Sequence, residues 1–277
     1  MAKTILKWAG NKTKVMPSII KYFPHNYSDY VEPFAGALGS FLNSGVSIKE
    51  HDVYLNDLNK EIIDLFVLMR SNCQDIVDKA NTLPRDKESY YEIRNWDRLD
   101  NWENRNKIDK SARTIYLNKL CFNGLYRINP KKGYFNTPYG SHRKSDLVSV
   151  KDANDFVEAT QNVRFFSEDC FTFARKDYKP NSLFYFDPPY VNTKDPKKEF
   201  GGYLGGFGWQ EQLNLRDLCL ELYEKGHNVI ISNAMCKETQ ELYSDFQKQT
   251  ISAPRSISRN ADGRKSVLEI LGLLIHE

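Results

Sequence analysis

Leu183-Phe184-Tyr185-Phe186-Asp187-Pro188-Pro189-Tyr190 decides how this chain is read. Four consecutive apolar or aromatic residues have the length and composition of a buried β-strand, and the acid and prolines that follow mark its exit into a loop. Two prolines stiffen that loop and remove two N–H donors, which leaves carbonyls free to accept. A carboxylate, a rigid pair of carbonyls and an aromatic ring then converge on one point, an arrangement suited to gripping a flat nucleobase by its exocyclic amine. With each residue type near an average usage of about 5 %, the tetrapeptide arises by chance in on the order of one chain in several hundred of this length. It therefore needs company before it decides a function.

The choice of groups has a chemical reason. The exocyclic nitrogen of adenine or cytosine is a poor nucleophile because its lone pair is delocalised into the ring. If the Asp187 carboxylate and the Pro188 carbonyl each accept one N–H, the nitrogen is drawn toward a tetrahedral shape and its lone pair can face an electrophilic methyl group. The cationic amine that forms is stabilised by the same acceptors. It is also strongly acidic, so the reaction needs no tuned general base. Tyr190 would stack on the base.

Upstream, Tyr30-Val31-Glu32-Pro33-Phe34-Ala35-Gly36-Ala37-Leu38-Gly39-Ser40 reads as a strand, a glycine-containing turn and an apolar helix start. This is the shape of the first strand-loop-helix of a nucleotide-binding sheet, where glycine lets the backbone approach a ligand. A second strand, Val53-Tyr54-Leu55-Asn56, ends in Asp57, 21 residues beyond Gly36, a position from which a carboxylate binds ribose hydroxyls. A third, Val163-Arg164-Phe165-Phe166, is followed by Glu168-Asp169. Carboxylates without a phosphate cradle suit a ribose and a cationic ligand better than a dinucleotide, and S-adenosylmethionine, a sulfonium methyl donor, meets both requirements.

The same periodicity predicts seven strands. Those near 30–34, 53–56, 163–167, 183–186 and 228–232 are expected to be mainly parallel and joined by helices such as 59–70 and 209–225. The runs Gln249-Thr250-Ile251-Ser252 and Val267 to Leu274 read as a closing hairpin, whose loop (253–266) carries Arg255, Arg259, Arg264 and Lys265 and is expected near phosphate. Residues 60–145 interrupt the sheet with helical and loop material, in which Trp96 and Trp102 are expected to be packing anchors.

Within that interruption, residues 110–144 hold Lys110, Arg113, Lys119, Arg127, Lys131, Lys132, Arg143 and Lys144 and no acid, with Tyr116, Phe122, Tyr126, Tyr134, Phe135 and Tyr139 interleaved. The whole chain carries only +3. The positive charge is therefore concentrated, as phosphate contact requires. A chain of 277 residues has room for one large α/β core and a smaller insertion. Mean hydropathy is −0.60 and no 18-residue apolar run or signal peptide is present, so no membrane span is expected. Five cysteines without Cys-x-x-Cys spacing argue against a disulfide framework and a zinc site. A reducing cytoplasmic setting and no metal are expected; the sequence sets no oligomeric state, and a monomer is compatible with it.

Taken in order, these motifs resemble the Dam-type adenine-N6 DNA methyltransferases over nearly the whole chain. Lys7-Trp8-Ala9-Gly10-Asn11-Lys12 is similar to the family's N-terminal element, Val31 to Gly36 to its donor loop, and Asp187 to Tyr190 to its catalytic tetrapeptide. Tyr116-Leu117-Asn118, Phe122-Asn123-Gly124-Leu125-Tyr126-Arg127 and Phe135-Asn136-Thr137-Pro138-Tyr139-Gly140 resemble its DNA-reading segment. Ile231-Ser232-Asn233 and Arg255-Ser256-Ile257-Ser258 match later elements.

The resemblance implies an α/β fold: a seven-strand Rossmann-like methyltransferase sheet formed by 1–58 and 146–277, with an inserted, mostly helical DNA-recognition domain at 59–145. Asp187, Pro188 and Tyr190 would be catalytic. Lys7, Trp8, Ala9, Gly10, Lys12, Glu32, Pro33, Phe34, Ala35, Gly36, Asp57, Asp169, Cys170, Phe171 and Asp187 would bind S-adenosylmethionine. Lys7, Phe122, Asn123, Leu125, Arg127, Asn129, Pro138 and His142 would contact double-stranded DNA. Arg127 would read a guanine through O6 and N7 and Lys7 another guanine. Leu125 and Pro138 would pack on a thymine methyl, and Phe122 and Asn123 would fill the gap left by a flipped adenine. Together these imply GATC.

There are departures: Leu38 stands where the family often has glycine, Asn11 replaces a glycine, His142 lies where a tyrosine is expected, and Lys194 to Trp209 carries five glycines and little similarity. The competing readings are transfer to cytosine N4 or a glutamine amide, the same reaction at another recognition sequence, and a DNA-binding relative without turnover.

Overall fold

The computed structural model describes residues 2–129, 132–140, 147–195, 206–253 and 267–276. Its centre is a seven-stranded sheet: β1 (Tyr30–Glu32), β2 (Val53–Asn56), β3 (Arg164–Phe166), β4 (Leu183–Phe186), β5 (Asn228–Ala234), β6 (Gln247–Ala253) and β7 (Val267–Leu274). The spatial order is β3-β2-β1-β4-β5-β7-β6. The first five strands in that order are parallel, whereas β7 runs antiparallel to both β5 and β6. All seven expected strands are present, and the closing hairpin falls at the expected place.

Strand chemistry explains the layering. β1 and β4 are buried along their whole length, as parallel strands covered on both faces must be. Successive side chains alternate between faces. Tyr30, Leu183, Tyr185 and Ile230 join one hydrophobic cluster, whereas Val31, Phe184, Phe186 and Ile231 join the other. The second cluster is covered by α6 (Cys170–Ala174), α7 (Trp209–Glu224) and α8 (Lys237–Leu242).

The first face is covered by α1 (Met16–Ile19), α2 (Lys60–Thr82) and α5 (Val150–Thr160). Helix α2 is longer than the expected 59–70, and its backbone leaves helical geometry at Asn72, close to where the sequence pattern lapses. It packs on α5, on β3 and on α4 (Lys107–Leu120). Tyr90 and Ile93 of α3 (Lys87–Arg94), Tyr116 of α4 and Phe135 belong to the same apolar cluster as the sheet residues. The interrupting segment is thus packed continuously onto the sheet's helical cover.

Beyond α4 the chain forms a ribbon. Cys121 bridges Tyr139 and Ile128 bridges Phe135, both antiparallel. Tyr90 donates to the Thr137 carbonyl at 2.9 Å and Tyr139 to the Arg85 carbonyl at 2.7 Å, which tie this ribbon to the helices beneath. Arg113 is fully buried, pairs with Asp97 at 2.7 Å and donates to the Ile93 and Arg94 carbonyls. Asp97 in turn accepts the Phe135 N–H at 2.9 Å.

This corrects the reading of 110–144 as an undivided basic, aromatic surface. Arg113 is an internal pillar, and Tyr116 and Phe135 are core residues with no exposed area. Tyr126 sends its hydroxyl inward to Glu61. Trp96 and Trp102 do pack, each under a guanidinium, Arg105 and Arg113 respectively. Among the described residues no helix is long and apolar enough to cross a membrane.

Candidate active site and nucleic-acid interface

The sheet order reverses direction between β1 and β4, so a crevice opens beyond their carboxyl ends, the usual ligand position in such sheets. A cavity of about 330 Å³ lies there. Its wall includes Trp8 to Lys12, Phe34 to Gly36, Asp57, Asp187 to Tyr190, Leu125, Tyr126, Arg127 and Glu269. Residues from the N-terminal element, both strand exits and the ribbon thus meet in one place.

Asp187 leaves β4 with its side chain partly exposed, at 16 %. Its Oδ1 receives Lys12 Nζ at 2.8 Å and Ser232 Oγ at 3.0 Å. Both contacts fall on one oxygen, which leaves Oδ2 directed to other use. Gln212 donates to the Pro189 carbonyl at 2.8 Å, and Asn233 accepts the Val191 N–H at 3.0 Å while donating to Gln212 at 2.9 Å. Among the described residues no donor meets the Pro188 carbonyl. The tetrapeptide is therefore braced by β5 and α7 with one carboxylate oxygen and one carbonyl left to accept.

Lys12 is only 3 % exposed. Besides Asp187 it donates to the Gly10 carbonyl at 3.0 Å, and its ammonium lies 4.6 Å from the centre of the Tyr190 ring. Tyr190 donates to Glu269 at 2.9 Å. Burial, aided by the Asp187 and Glu269 charges, pushes the Tyr190 hydroxyl well above its usual value, so it remains a donor. Burial also raises Glu269, against the opposing field of Lys12.

Glu32 is buried beneath this group and accepts from Tyr30 at 3.1 Å. Burial pushes its carboxyl up to about 8, opposed by the Ser40 hydroxyl and the Lys12 charge and reinforced by Asp187. It therefore holds a proton at neutral pH.

The glycine turn is shaped by close approach. Gly36 has φ +48°, and a Cβ there would stand 2.6 Å from the Trp8 indole nitrogen, so only glycine fits. Its N–H donates to Asp57 Oδ2 at 2.9 Å, while Asn59 N–H donates to Oδ1, also at 2.9 Å. Asp57 thus pins the glycine turn as well as lining the cavity. Burial lifts its carboxyl to about 6, with these two N–H donors acting against the rise. Leu38 keeps the left-handed conformation that a glycine would adopt, φ +63°, and is fully buried. Asn11, the other departure, accepts from Thr13 N at 3.0 Å and lies against Gly39.

On the other side of Phe34 a second cavity, about 320 Å³, is lined by Pro33, Asn56, Glu168, Asp169, Cys170, Phe171, Phe207, Glu211 and neighbours. Asp169 caps α6, its Oδ2 accepting from Phe171 and Thr172 N–H at 3.0 Å each. Burial raises the Cys170 thiol to about 12, which leaves it a packing group.

The residues expected to touch DNA divide by exposure. Phe122, Asn123, Arg127 and Pro138 are exposed, and Leu125 and Asn129 are half-buried. Asn123 is left-handed at φ +55° and Gly124 at φ +66°, which turns Phe122-Asn123 outward at the ribbon's base. Lys7 sits beside them. Its backbone exchanges two 2.7 Å bonds with the Asn118 amide, and its ammonium donates to the Lys119 carbonyl at 3.0 Å. His142 and the arginines of the 253–266 loop lie outside the described residues.

Several residues of the site went unassigned in the sequence. Ser232 and Asn233 stand in the sequence as a motif without an assigned role, although a polar pair ending an apolar strand is a signal. Gln212 and Glu269 carried a similar signal, a lone polar group on an apolar face. Tyr126 stacks on Trp8 with ring centres 5.9 Å apart, and nothing in its spacing announces that.

The sequence matches the D12 class N6 adenine-specific DNA methyltransferases over residues 8–257. The DNA adenine methylase of Vibrio cholerae is 34 % identical over 98 % of this chain and 95 % of its own length. The DNA adenine methylase of Haemophilus influenzae is 33 % identical over 98 % of this chain and 93 % of its own. The type II methyltransferase M1.LlaDCHI of Lactococcus lactis subsp. cremoris is 30 % identical over 96 % and 93 % respectively. With the family matched over residues 8–257 and relatives more than 30 % identical along nearly the whole chain, the chain belongs to the D12 class of N6 adenine-specific DNA methyltransferases.

Proposed function

We propose that the chain transfers a methyl group from S-adenosylmethionine to N6 of an adenine flipped out of duplex DNA, within GATC. The observation that carries the chemistry is the braced tetrapeptide, in which one Asp187 oxygen and the Pro188 carbonyl remain to accept the two hydrogens of an exocyclic amine.

The residues present fit such a donor. Two cavities flank Phe34, acids stand at the strand ends, and Gly36 offers backbone where any side chain would meet Trp8. Asp57 would hold ribose hydroxyls, and Asp169, Cys170 and Phe171 the adenine, with Trp8 to Lys12 closing the other side. S-adenosylmethionine supplies an electrophilic methyl carbon bound to a positively charged sulfur.

Asp187 and Pro188 then orient the nitrogen lone pair along the line of attack, and much of the rate comes from that alignment. As the N–C bond formed, the methyl carbon's bond to sulfur would break, its electron pair leaving with the neutral thioether S-adenosylhomocysteine, and positive charge would develop on N6 within reach of the same two acceptors. The amine sheds its proton to Asp187 or water. Lys12, paired with Oδ1, would hold the Asp187 carboxylate in place. Arg127, Leu125 and Pro138 would read the site in the groove, while Phe122 and Asn123 occupy the gap in the stack. Residues 59–145 would act as the reading domain, with α2 shared between the reader and the sheet.

Labelled S-adenosylmethionine incubated with the protein and duplex DNA, followed by nucleoside identification and mapping, tests this directly. N6-methyladenine confined to GATC is expected. N6-methyladenine elsewhere would keep the chemistry and overturn the roles of Leu125, Arg127 and Pro138.

A further inference from the structure

Glu269 is a charged residue in a strand that is otherwise Val267, Leu268, Ile270, Leu271, Gly272, Leu273 and Leu274. It is 8 % exposed, and its partners in the sheet register are Ala234 on β5 and Ile251 on β6, neither of which can satisfy a carboxylate. Burying a carboxylate in such a place is unfavourable unless it is hydrogen-bonded and electrostatically supported. Its support comes from the cavity side: the Tyr190 hydroxyl at 2.9 Å and the ammonium of Lys12, which acts on it through space.

Tyr190 is thereby held at three points. Its backbone follows the prolines and precedes Val191, whose N–H is fixed by Asn233. One ring face lies under Lys12 at 4.6 Å. The hydroxyl at the far end is anchored to β7. Without that last contact, rotation about the Cα–Cβ and Cβ–ring bonds would let the ring swing across the cavity that it lines.

We propose that Glu269 is a positioning residue, whose hydrogen bond fixes the Tyr190 ring as the wall on which the target base stacks. This rests on the adenine-transfer reading above. The carboxylate acts as an acceptor, so an amide oxygen at the same position can replace it. The effect belongs to the bound, aligned state rather than to donor affinity, because Glu269 acts through the Tyr190 ring and does not line the second cavity.

The test uses the full chain as Glu269→Leu, Glu269→Gln, Tyr190→Phe and the Glu269→Leu/Tyr190→Phe double variant. Steady-state and single-turnover transfer to a duplex containing the target adenine gives kcat and KM, and titration with S-adenosylhomocysteine gives donor-site affinity. Glu269→Leu and Tyr190→Phe are each expected to lower kcat about tenfold or more, with S-adenosylhomocysteine affinity held within about twofold. The double variant should be no worse than the poorer single one, since both remove one bond. Glu269→Gln should recover most of the lost rate.

Additive losses in the double variant, or Glu269→Gln as impaired as Glu269→Leu, would overturn the role. Tyr190→Phe removes a single hydroxyl and decides the matter even if Glu269→Leu does not fold: an undiminished kcat would overturn it. Absence of adenine methylation by the unsubstituted protein would instead overturn the transfer reading on which this role rests.

Discussion

Two buried cations, Lys12 at the strand exits and Arg113 in the segment that interrupts the sheet, are both almost inaccessible, at 3 % and 0 %. Their surroundings separate them. Lys12 borders a cavity and serves Asp187, the Gly10 carbonyl and the Tyr190 ring. Arg113 faces packed interior and serves Asp97 and two carbonyls that end α3. Burial alone therefore does not mark a functional cation. What marks it is a partner that opens onto a cavity: Asp187 lines one, whereas Asp97 is enclosed, its second oxygen buried without a hydrogen bond. The exposed cations of the ribbon, Arg127 and Lys132, form a third kind, held by their backbones and free to meet a polyanion.

The contrast can be broken most forcefully at the pocket. Asp187→Ala is expected to lower kcat by about a thousandfold or more, since it removes an acceptor aimed at the developing charge. Titration with S-adenosylhomocysteine should still detect binding. Retained turnover would end the assignment of Asp187 to the reaction.

Arg113→Ala attacks the other side. It leaves the Asp97 carboxylate buried without its cation and should cost about 3–5 kcal/mol of stability in urea denaturation. Loss of activity without that loss of stability would mean that Arg113 belongs with Lys12 after all.

Glu32 sharpens the comparison through pH. Its folded value, about 8, lies above the 4.5 of an unperturbed glutamate, so the native state holds the proton more tightly than the unfolded chain. The stability this provides is complete below about pH 4.5 and is lost as pH rises through about 8, a change on the order of a few kcal/mol. Glu32→Gln, which mimics the protonated acid, should remove that part of the slope in thermal denaturation between pH 5 and 8. Parallel curves for the two proteins would show that Glu32 is ionised in the native state.

Smaller effects are expected on the ribbon. Arg127→Ala should lose about 1–3 kcal/mol of discrimination at one guanine, measured on duplexes that differ only there. Unchanged selectivity would remove Arg127 from base reading. Lys132→Ala should leave selectivity intact and reduce the slope of log affinity against log salt by about 1. A change in site preference would place Lys132 among the readers instead.

The fold was legible because its signals are local. Apolar runs of strand length located all seven strands; Gly36 and Asp57, read from the sequence as a backbone approach and a ribose-binding carboxylate, also touch one another, at 2.9 Å. The segment that interrupts the sheet was harder to read for a physical reason. Composition counts Arg113, Tyr116, Tyr126 and Phe135 as surface material, yet tertiary packing turns each of them inward. The braces of the tetrapeptide escaped for a related reason. Ser232, Gln212 and Glu269 come from β5, α7 and β7, and only the sheet order carries these elements alongside β4. In Leu38 the departure lies in residue type and not in backbone, since the turn remains left-handed; its side chain gains burial in exchange for a conformation that glycine adopts without strain.

The stack of Tyr126 on Trp8 has a consequence for how such a protein can change over generations. Tyr126 sits between Leu125 and Arg127, and its ring forms part of the same wall as Trp8, against which the Gly36 turn closes. The segment proposed to read a sequence is thus also masonry of the chamber where methyl transfer would occur. A grafted recognition ribbon with a small residue at position 126 would leave a hole beside Trp8 and unmoor Glu61 at the start of α2. New sequence preferences in this lineage are therefore more accessible by single exchanges on the outward edge, at Leu125, Arg127 or Pro138, than by transplanting the ribbon whole.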